Sequence, residues 1–458
     1  MKIFRSIPSK KVYFEELDIE NGNFCSSVER AVINIYDDVV RQEIFGFGGA
    51  FTEAAAYNYS LLSDEQKDEF MRAYFDKQDG IGYSIGRTHI NSCDFSLDIY
   101  DYVESGDKTL ETFDISREKK YVIPFIKDAP KYCGDELVLF ASPWSPPAYM
   151  KDNGDMIKGG NLLDEYKSLW ALYYAKYIKA FAGEGIKISA ISVQNEPIAI
   201  QTWESCYYSP EDEGDFIENY LIPVLDEEGL GDIKIIIWDH NKERVFDRAR
   251  KVLASDKVNE RVAAVGFHWY SGDHFDGVRL VHEVLSKPAF ASEFCKSAPY
   301  SIAGDDVSAA EDYAREISGD LNSYAVACCD WNLMLDENGG PYHNRTAKPV
   351  TVGGKVLENK SGGCYAPIIY DTNKGELILT PTYYYIGHFS RFIKRGAKRV
   401  ECTKYSDDLK VSAFVNPDGT RVAVIMNTAD VELPAVIRNN DVCTHIDMEP
   451  HSIMTALF

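Results

Sequence analysis

The chain has 458 residues, 72 acidic against 48 basic, for a formal net charge of −24, with 45% apolar and 26% charged residues. That is the composition of a globular protein, not of a disordered or fibrous chain, and a single α/β barrel can absorb about 250 residues or more of such a length. The negative field excludes nucleic acid, whose binding needs Lys and Arg to displace counterions, and opposes stable membrane association, so a neutral or cationic ligand is expected.

Residues 1–8 carry two basic side chains but lack the apolar stretch of about 7–15 residues that a signal peptide needs. Nowhere do about 18 apolar residues run uninterrupted, so no membrane span is expected. A cytoplasmic protein of bacterial type is the expectation. The ten cysteines are scattered and form no C-x-x-C, so most are expected to be reduced, buried thiols. The sequons at Asn58, Asn344 and Asn359 then have no meaning.

In chain order, strands are expected first at 11–17 and 31–36, on either side of Asn21-Gly22-Asn23. Short β-rich apolar runs follow at 44–52, 83–91, 136–144, 188–196, 233–241, 262–270, 288–294 and 323–333. Amphipathic helical patterns lie between them at 63–75, 116–132, 164–181, 210–228, 242–254 and 308–318. Ser63-Asp64-Glu65-Gln66 reads as an N-cap with Gln at the capping-box position. Strands alternating with helices imply a parallel sheet, and eight of them imply an α/β fold closed into a (β/α)8 TIM barrel; an open doubly wound sheet is the alternative.

After about residue 396 the pattern changes to short alternating strands at 410–416, 421–427, 431–436 and 452–458, with a hairpin turn at Asn416-Pro417-Asp418-Gly419. Both chain ends are therefore expected to build one β-sandwich: its N-terminal strands in 1–43, the catalytic barrel in 44–390, and its C-terminal strands in 391–458. Asn338-Gly339-Gly340-Pro341 and Ser361-Gly362-Gly363 mark a long loop after the eighth strand, at the face where barrel loops carry function.

The strand ends on that face are polar and aromatic. They hold Arg87, His89, Asn91 and Asp94; Ser142-Pro143-Trp144; Gln194-Asn195-Glu196-Pro197; His268-Trp269-Tyr270; Ser292-Glu293; and Asp330-Trp331-Asn332. One such residue is ordinary at a rim, but their recurrence on successive strands points to a site. Glycoside hydrolysis needs two carboxylates, one acid and one nucleophile or base, and Glu196 and Glu293 fit. Pro197 biases Glu196 towards an extended backbone. Glu293 interrupts the apolar run Ala289-Phe290-Ala291-Ser292, and a buried charge needs a partner or a task; a rim ion pair with Arg87 is the plainer reading. Trp144, Trp203, Trp269, Tyr270 and Trp331 offer flat faces to sugar C–H groups, although each taken singly is equally a core residue.

Rival signals are weaker. Gly82-Tyr83-Ser84-Ile85-Gly86 matches the nucleophile elbow of serine hydrolases, but a strand follows the serine where a helix is needed. Gly46-Phe47-Gly48-Gly49 has Phe51 where a dinucleotide fingerprint needs its third glycine. Asp239-His240, His268 and His274 have no metal-ligand spacing, so neither metal nor cofactor is expected.

Taken together, Phe45-Gly46-Phe47-Gly48-Gly49-Ala50-Phe51-Thr52, Asn91-Ser92-Cys93-Asp94-Phe95-Ser96, Ala141-Ser142-Pro143-Trp144-Ser145-Pro146-Pro147, Asn195-Glu196-Pro197, His268-Trp269-Tyr270, Ala291-Ser292-Glu293 and Asp330-Trp331-Asn332-Leu333 resemble glycoside hydrolase family 30. The nearest branch is the one that contains lysosomal glucosylceramidase. The resemblance runs in order from residue 44 to Gly387-His388-Phe389-Ser390 and implies a barrel with a β-sandwich built from both chain ends. It implies Glu196 as acid/base, Glu293 as nucleophile, and Asp94, Trp144, Asn195, Tyr270, Trp331 and Asn344 around the sugar, with Arg87 and His268 in support. The implied activity is retaining hydrolysis of β-glucosidic bonds, with soluble β-glucosides or β-1,6-linked gluco-oligosaccharides favoured by the acidic surface. Glycosphingolipid, β-xyloside or β-fucoside substrates, and a non-catalytic sugar-binding relative, stay open.

Overall fold

The computed structural model describes all residues except 20–29, 297–306, 344–349, 353–354, 358–362 and 441. Eight parallel strands, each falling within one of the apolar runs, close on themselves: Gly46–Ala50, Ile85–Ile90, Val138–Pro143, Ile188–Ser192, Lys234–Asn241, Val262–His268, Ala289–Glu293 and Ala325–Asn332, numbered one to eight below. Strand eight pairs with strand one, Ala327 beside Gly46 and Asp330 beside Gly49, which excludes the open sheet. The glycines of strand one are a packing device. A Cβ on Gly48 would lie 1.9 Å from the Ile85 carbonyl oxygen, so only glycine lets strands one and two approach.

Ser63 caps the helix Asp64–Phe75 in a full capping box with Gln66. The single helix expected over 210–228 is broken into Pro210–Phe216, a π-helical turn Ile217–Leu221 and Ile222–Glu227. Pro223 explains the break, since it supplies no N–H to the preceding turn. The pattern at 116–132 becomes helical only from Val122, as Val122–Asp128 and Pro130–Cys133.

Both chain ends enter one nine-stranded sheet, in the order Val12–Asp18, Lys2–Ile7, Ser452–Leu457, Arg421–Asn427, Leu409–Val415, Lys398–Thr403, Val32–Glu43, Leu433–Asn439 and Val442–Met448. Ile3, near one edge, shares a buried cluster with Ile446 and Met448 at the other, so the sheet curls over a core of its own as a sandwich. The turn at Asn416–Gly419 closes the expected hairpin, with Gly419 at φ +87° and the Asn416 N–H donating to the Thr420 carbonyl at 2.9 Å. Asn21-Gly22-Asn23 lies outside the described residues. Among the described residues eight cysteines are free thiols, and Cys443 is disulfide-bonded.

The sandwich meets the barrel at the helix Pro381–Ser390. There His388 is fully buried, with Nδ1 2.9 Å from Thr455 Oγ1 and Nε2 2.9 Å from Ser6 Oγ, one hydroxyl from each end of the chain. Burial, then the charge of Arg391, presses this imidazole down to about 3. A folded-state value below the unfolded one, about 6.5, means that its contribution is present above pH 6.5 and lost as pH falls towards 3. His388→Ala opens a cavity at the junction and takes one hydrogen bond from each of two buried hydroxyls, which keep only their backbone partners, and is expected to cost about 2–4 kcal/mol in urea unfolding, with a flatter loss of stability below pH 6.5. An unchanged midpoint would remove His388 from the junction.

Candidate active site

The C-terminal ends of the strands converge on one guanidinium. Arg87, on strand two, is fully buried. Its Nη1 donates to Glu293 Oε2, its Nη2 to Asn195 Oδ1 at 2.7 Å and Asp239 Oδ2 at 3.0 Å, and its Nε to Ser142 Oγ at 3.2 Å. Trp144 and Trp331 stack on each other with centroids 5.2 Å apart, and the guanidinium lies 4.8 Å and 5.2 Å from their rings. A planar fork is what so many simultaneous contacts require, which Lys could not supply.

Asp239 is the counterpart of Arg87. It also accepts from Ser142 Oγ at 2.8 Å and Ser292 Oγ at 2.5 Å, and stands 3.1 Å from His268 Nε2. Burial opposes its charge, but Arg87 and the His268 hydrogen bond hold it well below the usual carboxylate range. A bulge in strand five, with Trp238 at φ +71° and Asp239 at φ +48°, carries the chain through this position. Left-handed backbone at such residues costs about 1–3 kcal/mol each and concentrates at functional sites.

Strand four ends at Ser192, four residues before Glu196, and the extended backbone expected before Pro197 is not found. Glu196 sits at φ +49°. The chain turns there, the Ala199 N–H donating to the Glu196 carbonyl at 2.9 Å, while the Glu196 N–H stays tied to the Asp239 carbonyl at 3.0 Å. The turn outweighs the proline's local preference. His268 Nδ1 lies 3.3 Å from Glu196 Oε1 and 3.7 Å from Glu293 Oε1, and one ligand atom from each of the three residues fits within 4.8 Å of the others. Burial disfavours charge on His268, but Glu293, Asp239 and Glu196 push it up to about 9. Burial also opposes ionisation of Glu196, yet the His268 hydrogen bond brings it below the usual range. The proton of this cluster therefore rests on His268. The three side chains have the spacing of a metal set, but His268 could ligate a cation only after losing its proton, and Arg87 already neutralises Glu293.

Tyr270 OH donates to Glu293 Oε1 at 2.8 Å and touches Cys295 Sγ at 3.4 Å. Asn195, its Oδ1 taken by Arg87, keeps its amide NH2 as the free end. Asp94 follows strand two; burial, then the Glu293 and Glu204 charges, raise it well above its ordinary range, and its buried Oδ1 has no hydrogen-bond partner. Trp203 packs against the Trp144 and Trp331 cluster. Trp269 is a correction: its indole is buried on Phe294 and Tyr313, with Nε1 donating to the Cys295 carbonyl at 2.9 Å, and it presents no face to a sugar. Asn344 lies outside the described residues.

The sequence reading missed Asp239 as a site residue. The signal was available, since a carboxylate ends the apolar run Ile235-Ile236-Ile237-Trp238 much as Glu293 ends strand seven. It also missed Gln201, whose Nε2 donates to Glu196 Oε2 at 3.4 Å, and the buried Lys151, whose ammonium donates to Ser145 Oγ, the Met156 carbonyl and the Ser205 carbonyl at 3.1, 3.2 and 2.7 Å. Lys151 thereby fastens the loop that carries Gln201 and Trp203. Ser84 precedes strand two, at the opposite end of the barrel from Glu196 and Glu293.

Residues 44–393 match the glycosyl hydrolase family 30 TIM-barrel domain, and residues 396–456 the family 30 beta sandwich domain. The lysosomal acid glucosylceramidase of Mus musculus is 31% identical over 419 residues, covering 87% of this chain and 78% of that protein. Among solved structures, SrfJ from Salmonella typhimurium superposes with a TM-score of 0.92 at 33% identity, over 100% of this chain and 99% of that one. The endo-beta1,6-glucanase BT3312 superposes at 0.85 and 26% identity, over 100% and 98%.

Removing Arg87 strands two buried carboxylates. Arg87→Met is expected to cost about 3–5 kcal/mol in urea unfolding, and Arg87→Lys to recover part of it without restoring the contacts to Asn195 and Ser142. A cost below about 1 kcal/mol for Arg87→Met would show that the carboxylates do not depend on it.

Proposed function

The chain belongs to glycosyl hydrolase family 30 and hydrolyses β-glucosidic bonds with retention, and from that premise we propose that Glu293 is the nucleophile, Glu196 the acid/base, and a β-1,6-linked gluco-oligosaccharide or other soluble β-glucoside the substrate. One observation carries the assignment: carboxyl oxygens of Glu196 and Glu293 come within 4.8 Å of each other. Retaining enzymes hold their carboxyls about 5–5.5 Å apart, whereas inverting ones keep about 6.5–9.5 Å for a water.

Glu293 accepts hydrogen bonds on both oxygens, from Arg87 and Tyr270, the arrangement of a carboxylate anion aimed at the anomeric carbon. As its charge is spent in forming the glycosyl-enzyme, His268 loses a negative neighbour that held its proton. That proton passes from His268 Nδ1 to Glu196, and Glu196 delivers it to the leaving oxygen. In the second step Glu196 takes a proton from water as the water oxygen displaces Glu293 from the anomeric carbon, the configuration is restored, and the proton passes back from Glu196 to His268 Nδ1 as Glu293 regains its charge. Asp239 on His268 Nε2 fixes the imidazole for both transfers.

The substrate reading rests on the polar leaving-group side, where Gln201 reaches Glu196, and on the net charge of −24. Among the described residues no helix is long and apolar enough to cross a membrane. The named β-1,6-glucanase neighbour supports the linkage, and the glucosylceramidase relative keeps the lipid as the alternative. Eight free thiols suit a cytoplasmic setting, whereas the Cys443 disulfide is a bond that such a setting would reduce.

Proton NMR of the first-formed product is expected to show the β-anomer, and α-glucose would overturn the pairing. In a substrate panel the β-1,6-linked glucose disaccharide is expected to give a higher kcat/KM than the β-1,3 isomer, an aryl β-xyloside or glucosylceramide; preference for glucosylceramide would transfer the assignment to the lipid. The alkaline limb of kcat/KM is expected near pH 9, where the cluster loses its shared proton. Asp239→Asn removes a negative charge beside a cation, so it must move that limb to lower pH. A limb that stays in place would exclude His268 from the proton path.

A further inference from the structure

At the N-terminal end of the barrel, remote from the carboxylates, a cavity of about 440 Å³ opens beside the starts of strands one to three. Four cations line it: Lys77, Arg391, Lys394 and Arg395. In a chain with 24 surplus negative charges, such a cluster is out of keeping with the rest of the surface. Among the described residues its one lining carboxylate, Glu136, is engaged by Lys77.

The remaining three cations donate to backbone carbonyls rather than to carboxylates, with the Asp418 and Glu136 charges acting on Lys394, and Glu136 on Arg395, from a distance. Arg391 Nη2 donates to the Gln78 carbonyl at 2.7 Å, and Lys394 Nζ to the Arg391 carbonyl at 2.8 Å. Arg395 donates from Nε to the Phe45 carbonyl at 2.8 Å and from Nη2 to the Ser84 carbonyl at 3.0 Å. Among the described residues, none of the three has a carboxylate within ion-pair distance. Burial, then the charge of Arg391, lowers Lys394 from its ordinary range, so the like charges bear on one another.

Two hydroxyls complete the lining. Ser390 is 5% exposed, and its Oγ is buried without a hydrogen-bond partner. Ser84, the serine of the Gly-x-Ser-x-Gly motif that catalysis leaves unused, stands at the wall beside Gly46. A Cβ on Gly46 would come within 2.7 Å of Ser84 Oγ, so the glycine keeps that hydroxyl uncovered.

We propose that this cavity is a binding site for a phosphoryl group, held by Arg391, Lys394 and Arg395, and that the unpartnered Ser390 hydroxyl turns to donate to it. Guanidinium forks and hydroxyl donors match a tetrahedral oxyanion, and the charge of the ligand relieves the repulsion among the cations. The volume exceeds what inorganic phosphate fills, which leaves room for the organic part of a small monoester.

Isothermal titration with inorganic phosphate and with glucose 6-phosphate, each against sodium chloride at matched ionic strength, tests the site. Saturable binding of at least one is expected, weakened about tenfold or more in Lys394→Gln and in Ser390→Ala, with turnover of an aryl β-glucoside unchanged. Tighter binding of the hexose phosphate identifies a monoester as the ligand, and equal binding identifies the phosphoryl group alone. Lys394→Gln keeps the stem of the side chain and breaks no ion pair among the described residues, so it is not expected to disturb folding. Absence of saturable binding, or equal affinity in the wild-type protein and both variants, would overturn the proposal.

Discussion

The arrangement of the site depends on one buried guanidinium held between two carboxylates. Arg87 comes from strand two, Asp239 from strand five and Glu293 from strand seven, and only closure of the barrel brings these distant strands around one point. Taking such charges out of water costs several kcal/mol per ion, recovered only when geometry and hydrogen bonding are nearly complete. Here they are, because Ser142, Ser292, Asn195, His268 and Tyr270 take up the remaining donors and acceptors of the three ions. The same network that stabilises the charges therefore dictates where each reactive atom stands.

The same network accounts for the different roles proposed for the two carboxylates. Glu293 is locked from both sides, by Arg87 and Tyr270, as an acceptor with nothing to donate. Glu196 faces a protonated imidazole and a glutamine amide, so its charge state follows its neighbour's. Pairs of titratable groups pushed apart by their surroundings are how one site performs both acid and nucleophilic chemistry. The left-handed backbone at Glu196 and Asp239 is part of the same design, strain held in place by the strands around it.

Much of this was legible in the sequence, and the limits have physical causes. All eight barrel strands were readable because strands buried on both faces are continuous apolar runs, and Glu196, Glu293 and Arg87 stood out as polar interruptions at their ends. Lys398–Thr403 and Val442–Met448 were not, since alternating strands with charged outer faces give a weak apolar signal. Glu196 was placed on the right strand end with the wrong backbone, because the effect of Pro197 is local while the turn is enforced by tertiary contacts. Asp239 next to His240 has the local look of a metal-ligand pair, and its partnership with Arg87 spans 152 positions that no local pattern encodes. Trp269 shows the converse, an aromatic with the right neighbours in sequence that the fold turns into the core.

Arg87 and Asp239 are proposed to organise Glu293 as the nucleophile of a double displacement. Incubation with a 2-deoxy-2-fluoro-β-glucoside bearing a good leaving group, followed by intact-mass and peptide mass spectrometry, addresses it most directly. One fluoroglucosyl adduct per chain is expected, carried on the peptide containing Ser292-Glu293-Phe294 and absent from Glu293→Gln. A protein that turns over its substrate yet forms no adduct, or carries it on Glu196, would contradict it.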